Sequence, residues 1–361
     1  MTSQANETSF SELLGDVRLP GSDATLGTLN AVADSAVSDS DLPIRLPLAC
    51  RSLWPTLQEA IEQTLARADI QRTVLIDTAV PSFAVQRNTR PLSGIKNLVA
   101  VASGKGGVGK STTAVNLALA LQQEGARVGL LDADIYGPSI PRMLGLTGQQ
   151  PATADGKTMQ PLEAFGLQVM SIGFLVDEAA PMVWRGPMVT SALNQLLQQT
   201  VWHDLDFLVI DMPPGTGDIQ LTLSQSVPVS GAIVVTTPQD VALSDARKGL
   251  EMFRKVSVPV LGIVENMSIY RCPTCGEETS LFGQGGGDKL AEATGVPLLG
   301  ELPLIPEIGI TTDAGTPLVA SSPDGETARR YRQIAISAGL QLARSKRDYS
   351  SAFPNIVVED S

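Results

Sequence analysis

The sequence has few of the side chains from which most metal and redox proteins are built. It contains one histidine, His203, and three cysteines in 361 residues. A single histidine excludes histidine-rich metal centres and multi-histidine catalytic sites within one chain, and three cysteines exclude a disulfide framework. Positive charge is also scarce, because 26 Lys and Arg stand against 38 Asp and Glu, a formal net charge of −12. A field of that sign repels phosphate backbones and anionic headgroups, so neither nucleic acid nor membrane is an expected partner. No apolar run approaches the roughly 18 residues of a membrane-spanning helix. Residues Met1 to Phe10 lack the basic and apolar regions of a secretory signal, so a cytosolic protein is the expectation. At 43% hydrophobic and 18% charged residues, the chain is too apolar and too weakly charged to be disordered.

The pattern of the remaining residues divides the chain. Leu42, Ile44, Leu46 and Leu48 alternate with Pro43, Arg45 and Pro47, a strand pattern whose prolines suit a sheet edge. Leu57, Ala60, Ile61 and Leu65 form one helical face, and Val74 with Ile76 marks a second strand. These elements predict a small α+β domain over residues 11–78 behind a disordered tail, 1–10. The Pro-, Asn-, Gln- and Arg-containing stretch 79–94 reads as a linker. From residue 95 to 343, apolar strands alternate with helical patterns: runs at 97–102, 127–131, 207–210, 232–236, 258–264 and 297–302 are each followed by helix or loop. Near-continuous Val, Ile and Leu runs mean strands covered on both faces, hence an α/β fold with a mostly parallel twisted sheet between layers of helices. Residues 344–361 read as a frayed tail.

The strongest motif is GKGGVGKS at residues 104–111, which follows an apolar strand and opens a helix, as a phosphate-binding loop must. Gly104, Gly106, Gly107, Val108 and Gly109 supply a tight backbone turn whose N–H groups face phosphate oxygens at a helix N-terminus. Lys110 is placed to bridge the β- and γ-phosphates of ATP, Ser111 to ligate Mg²⁺, and Thr112 to hold the α-phosphate. Lys105 has two readings on spacing alone: a solvated loop lysine, or a cation reaching a nucleotide bound by a second chain. Asp132 and Asp134 end the strand after the first helix, and Asp211 ends the run Phe207 to Ile210. Carboxylates at strand carboxyl ends face the crevice where ligands bind. Asp211 is therefore the candidate Mg²⁺ partner, and Asp132 or Asp134 the candidate to orient the attacking water; the alternative for each is a helix cap. Pro213 to Gly217 forms a loop able to sense a γ-phosphate. Asn266 is either a contact to the adenine edge or a turn residue.

Cys272-Pro-Thr-Cys275 is the second motif. Zinc and iron–sulfur clusters take four ligands, and one chain offers two here, so the arithmetic suggests a site shared across a symmetric dimer. A reduced structural pair is the alternative. Cys50, alone in an apolar stretch, reads as a buried inert thiol. His203 reads as a surface residue, and Met182, Met188 and Met212 as packing.

The loop GKGGVGKS with its extra lysine resembles the deviant phosphate-binding loop of the MinD, ParA and nitrogenase iron protein class of ATPases. Within that class, DADIYGPSIPRMLG from Asp132, DMPPGTGD from Asp211, ENMS followed by CPTC, and GGGDKLAEATGVPLLGELPL from Gly285 resemble the Mrp/ApbC family of iron–sulfur cluster carriers. The resemblance covers residues 95–320 and, more weakly, the small N-terminal domain. Where that family often has Cys-Pro, this chain has Cys50-Arg51. It implies a P-loop NTPase fold and a homodimer enclosing two ATP molecules, with Lys105 crossing to the partner's nucleotide. It also implies slow Mg²⁺-dependent ATP hydrolysis, and a labile cluster bridging Cys272 and Cys275 of both chains. Cluster-assembly proteins and apo iron–sulfur proteins would be the partners. Two alternatives stay open at this point: a spatial-organisation ATPase of the MinD or ParA kind, and a nucleotide switch whose paired cysteines hold zinc.

Overall fold

The structure, a computed structural model, describes residues 9–38, 40–86, 89, 91–153, 155–175 and 186–345. The predicted tails therefore fall almost wholly outside the described residues, as does Met182. The chain divides into two compact units, Met1–Val80 with Gln123–Ala126, and Pro81–Gln122 with Arg127–Ser361.

The first unit is built on a strand–helix–strand repeat. Strands β1 (Asp41–Leu46) and β2 (Thr73–Thr78) pair in parallel from Asp41 opposite Thr73 to Leu46 opposite Thr78, joined by helix α1 (Trp54–Arg67). Leu57, Ile61 and Leu65 of α1 are buried together with Leu42, Ile44 and Leu46 of β1, so the helical face and the strand alternation supply one small core.

The second unit holds a nine-stranded sheet. Its strands are β3 (Ile95–Ala102), β4 (Val128–Asp132), β5 (Leu162–Ala164), β6 (Leu167–Ser171), β7 (Leu205–Asp211), β8 (Gly231–Thr236), β9 (Val260–Arg271), β10 (Glu278–Thr279) and β11 (Leu298–Leu304). The order is β10-β9-β8-β3-β7-β4-β6-β5, with β11 paired to the other edge of β9. Pairings among β3, β4, β6, β7, β8, β9 and β11 are parallel, while β5 and β10 run antiparallel at the ends. Every residue of β4, β7 and β8 is buried, which requires helices on both faces. The major helices are α2 (Lys110–Gln123), α3 (Gly186–Gln199), α4 (Asp218–Ser226), α5 (Asp240–Lys255), α6 (Gly286–Thr294), α7 (Pro306–Asp313) and α8 (Glu326–Ala343). Helix α5 packs on β8, and α8 on β9 and β11.

Three features differ from the sequence-based expectation. The stretch expected as a linker is docked on the second unit, where Phe83 and Gln86 are buried. The Phe83 N–H donates to Asn97 Oδ1 at 2.9 Å, Gln86 Nε2 donates to the Ser224 carbonyl at 2.8 Å, and Gln86 Oε1 accepts from the Val229 N–H at 3.1 Å. Polar composition suggested exposure; here amide side chains replace a strand's backbone ladder. Strand β9 continues to Arg271, seven residues past Val264, because Glu265, Asn266 and Ser268 interrupt the apolar run without ending the strand. Met212 is buried as expected, whereas Met188 is half exposed.

At the amino ends of the strands, buried Asp206 organises a charge cluster. It accepts from the Arg127 backbone N–H and Nε at 2.9 and 3.2 Å and from Lys96 Nζ at 2.8 Å. Burial alone would raise its carboxyl, but the hydrogen bonds from Arg127 and Lys96 hold it below the ordinary carboxylate range. A carboxylate depressed in the fold contributes stability above its unfolded value and loses it as the pH falls through the folded one. Asp206→Asn is therefore expected to lower unfolding stability by about 2 kcal/mol near neutral pH. In urea titrations followed by circular dichroism, the gap from wild type should stay constant down to about pH 4 and narrow only below it.

Candidate functional site

The predicted phosphate loop sits between β3 and α2, at the carboxyl edge of the sheet. Strand β3 is buried along its length, and α2 is apolar on nearly every side, with Ala114 through Leu121 buried. Both elements are therefore fixed, and only residues 103–109 between them are shaped by glycine. Gly104 allows α5 to approach: a Cβ there would stand 2.2 Å from the Asp245 carbonyl carbon. Ser103 secures the loop twice. Its hydroxyl donates to the Lys105 carbonyl at 2.9 Å, and its own carbonyl accepts from the Gly215 N–H at 2.9 Å. The second contact ties the Pro213–Gly217 loop directly to the phosphate loop. Gln220 Nε2 steadies the same segment by donating to the Pro214 carbonyl.

Lys110 is buried, and its ammonium lies 2.5 Å from Asp211 Oδ1, 3.1 Å from Ser111 Oγ and 3.8 Å from Asp134 Oδ2. The structure thus brings Lys110, Ser111, Asp134 and Asp211 together. Asp132 and Asp211 sit directly opposite each other in the β4–β7 register, both fully buried. Burial first, and the Asp211 charge second, push Asp132 up to about 7. Asp211 and Asp134 are also raised by burial, against the pull of Lys110. One ammonium thus stands among two fully buried carboxyl groups and one partly open one.

The two members of the aspartate pair are not equivalent. Asp132 spends Oδ1 on the Asp134 N–H at 3.1 Å, and Oδ2 on the Ile140 N–H and the Ser171 hydroxyl at 3.2 and 3.1 Å. It holds the loop that follows β4. Asp134 keeps partial access to solvent beside Lys110, which is where a water-orienting carboxylate has to be. Asp211 Oδ2 is buried without a hydrogen-bond partner, and an orphaned carboxylate oxygen beside the Ser111 hydroxyl is chemistry that suits Mg²⁺. Lys105 is half-buried at the rim, and Ser111 and Thr112 are partly exposed at the start of α2, as a phosphate contact requires.

Asn266 is a strand residue and not a turn residue. It lies within β9, buried, with its amide nitrogen donating to the Val108 carbonyl at 2.9 Å. It therefore braces the phosphate loop. The preceding residue, Glu265, accepts from the Gly287 N–H at the start of α6. Sequence reasoning missed Ser103, Gln220 and Glu265, whose one available signal was adjacency to a motif.

The cysteine pair forms the tip of the β9–β10 hairpin. The Cys272 N–H donates to the Glu277 carbonyl at 2.9 Å, and the Gly276 N–H donates to the Cys272 carbonyl at 2.8 Å. The backbone N–H groups of Cys275 and Thr274 turn toward the Cys272 sulfur and hold its thiol below the ordinary range. Cys272 is partly exposed and Cys275 exposed; Cys50 is buried, and burial pushes it up to about 12. Among the described residues no group of three or more His, Cys, Asp or Glu is placed to hold a metal ion, so the hairpin offers two thiols and no third ligand. His203 is exposed, its ring hydrogen-bonded to Gln160 at 3.2 Å. No helix among the described residues is long and apolar enough to cross a membrane.

Gly104→Ala tests the α5 contact. The obstructing atoms are backbone, so the loop and α5 must separate, at about 1–3 kcal/mol. Titration with a fluorescent ATP analogue is expected to show affinity at least about tenfold weaker.

Comparison with known proteins agrees with this geometry. A family model described as the NUBPL iron-transfer P-loop NTPase matches residues 94–338. The iron-sulfur cluster carrier protein of Escherichia coli K12 is 51% identical over 321 residues, covering 88% of this chain and 87% of that protein. The mouse iron-sulfur cluster transfer protein NUBPL is 49% identical over 307 residues, covering 83% and 92%. A nucleotide-binding protein of Archaeoglobus fulgidus, solved in complex with ADP, superposes with a TM-score of 0.58 at 36% identity, covering 66% of this chain and 93% of that one. The chain belongs to the family of iron-transfer P-loop NTPases.

Proposed function

We propose that the chain is an iron–sulfur cluster carrier that binds and slowly hydrolyses ATP with Mg²⁺ and works in the cytosol as a homodimer. Each chain would supply Cys272 and Cys275 to a labile bridging cluster received from assembly proteins and passed to apo iron–sulfur proteins. The observation that carries this reading is the hairpin: one exposed and one partly exposed thiol, the latter activated by backbone N–H groups, with no third ligand within reach among the described residues. A four-thiolate site then requires a second copy. The names of the relatives agree with it.

The nucleotide chemistry follows from the buried charges. Lys110, now held by Asp211, exchanges that partner for phosphate oxygens when ATP enters. Ser111 and Asp211 would hold Mg²⁺, which supplies charge neutralisation at the phosphates. Asp134 orients water for attack, while Asp132 stays buried and fixes the loop that carries it. Lys105 reaches the nucleotide of the partner subunit. The Gly215 contact to Ser103 makes residues 213–217 respond to the phosphate loop, and through them the dimer contact near the thiols.

Anaerobic reconstitution followed by assay of iron, acid-labile sulfide and zinc provides the test. Wild type is expected to hold iron and sulfide in equal amounts as a dimer, and Cys272→Ser to lose both. Tightly bound zinc that iron and sulfide cannot displace would overturn the carrier reading. Coupling to ATP predicts that Lys110→Ala transfers cluster to an acceptor protein at a rate indifferent to ATP, whereas wild type responds to it. Equal rates for both proteins, with and without ATP, would sink the coupling.

A further inference from the structure

The two sites of chemistry share one strand. Asn266 and Cys272 are six residues apart on β9 and its continuation, about 20 Å of extended chain. The Asn266 side chain leaves the strand for the phosphate loop, donating from Nδ2 to the Val108 carbonyl at 2.9 Å. In a planar trans peptide the carbonyl and the following N–H point in opposite directions. Holding the Val108 carbonyl therefore aims the Gly109 N–H, one of the donors such a loop offers to phosphate. The contact has no slack: a Cβ on Gly109 would stand 2.2 Å from Asn266 Nδ2 and 3.9 Å from Met267 Cε.

A regular strand could not make this contact. Successive side chains point to opposite faces of a sheet, yet Asn266 and Met267 both reach Gly109. The backbone allows it by turning left-handed at Met267, where φ is 58°, a conformation that costs a non-glycine residue about 1–2 kcal/mol. Nearby, the pairing of β11 with β9 shifts register between Leu302 and Leu304. Beyond the irregularity the strand is tied again, by the Ser268 hydroxyl to the Leu302 carbonyl at 3.2 Å and by Tyr270 and Arg271 paired with Thr279 and Glu278. It then enters the Cys272 turn directly.

We propose that Asn266 is the positioning residue that couples the phosphate loop to the thiol hairpin. When phosphate draws the Gly109 N–H, the Val108 carbonyl turns with it, and Asn266 follows or releases. Either response moves β9 at Met267, the strained point where a second backbone arrangement lies nearest in energy. The movement is carried along the re-tied strand to Cys272. This rests on the reading of residues 104–111 as a nucleotide site and is independent of which metal or cluster the thiols carry.

The test uses the full chain without cargo. In a Cys275→Ser background Cys272 is the accessible thiol, since Cys50 is buried, and its alkylation by iodoacetamide is timed with and without saturating Mg-ATP. ATP is expected to change the rate by about fivefold or more, the low end of coupling between sites. Asn266→Ala and the near-isosteric Asn266→Asp, which removes the donor while keeping the shape, should both shrink that change below about twofold at ATP concentrations shown by titration to saturate them. A wild type indifferent to ATP, or an Asn266→Asp chain that responds as wild type does, would overturn the proposal. Hydrogen exchange of the Ser268–Arg271 amides in the unsubstituted chain is the independent measurement: ATP should alter it, and unchanged exchange there also overturns the coupling. Failure to bind iron and sulfide would defeat the carrier reading and leave these results untouched.

Discussion

The site depends on a buried lysine whose charge is balanced by a fully buried carboxylate. Lys110 is 6% exposed, and Asp211, 2.5 Å away, is fully buried. Removing either partner from such a pair strands the other charge in a poor solvent, at several kcal/mol. The sheet makes the arrangement more demanding, because its parallel register sets Asp132 beside Asp211 on the next strand. Burial, and after it the neighbouring Asp211 charge, push Asp132 up to about 7. One ammonium therefore stands among three carboxyl groups, and Asp211 Oδ2 is buried without a hydrogen-bond partner. Under the proposed function a divalent cation would take the carboxylate of Asp211 and the phosphates would take Lys110.

The exchange of partners proposed for Lys110 would need a firmly placed loop. If Lys110 is to change partners without losing its position, the loop that carries it has to be braced from outside. The braces are Ser103 within the loop, Gly215 from the loop after β7, α5 against Gly104, and Asn266 from β9. Each contacts backbone, so each senses the path of the loop independently of the side chains the loop displays. Two of the four come from segments that continue away from the site, residues 213–217 and β9, and these are the routes the proposed coupling would use.

Sequence reasoning reached the parts of this site whose meaning is local. The strand before Gly104, the helix after Lys110 and the carboxylates at strand ends follow from periodicity and from one contiguous motif, and the structure brings Lys110, Ser111, Asp134 and Asp211 to one place. What it did not reach is contact between distant residues. Val108 and Asn266 are 158 positions apart, and nothing in the local pattern around Asn266 reports a partner in another loop. The same holds for Gln86, whose amide joins the chain near Ser224 and Val229 in a stretch with linker composition. Strand β9 was cut short for a related reason. Its polar residues are spent on contacts to other segments, Glu265 on α6, Asn266 on the phosphate loop and Ser268 on β11, so the apolar run stops before the strand does.

The hairpin shows why a carrier would divide its site between chains. Four thiolates from one chain close around a metal and hold it as a structural element. A pair exposed at the tip of a two-strand hairpin, with Cys272 already activated by backbone N–H groups, binds weakly alone and firmly only when a second pair is brought opposite. Retention then depends on the geometry between two copies, a quantity that a nucleotide site can alter without touching the metal. The net charge of −12 adds to this. Two acidic chains repel each other at long range, so the proposed dimer would need a compensating interaction, and Lys105 directed to the other chain's nucleotide would be of the right sign. Binding of ATP and retention of cargo would then draw on the same association free energy, which makes linkage between them a thermodynamic necessity.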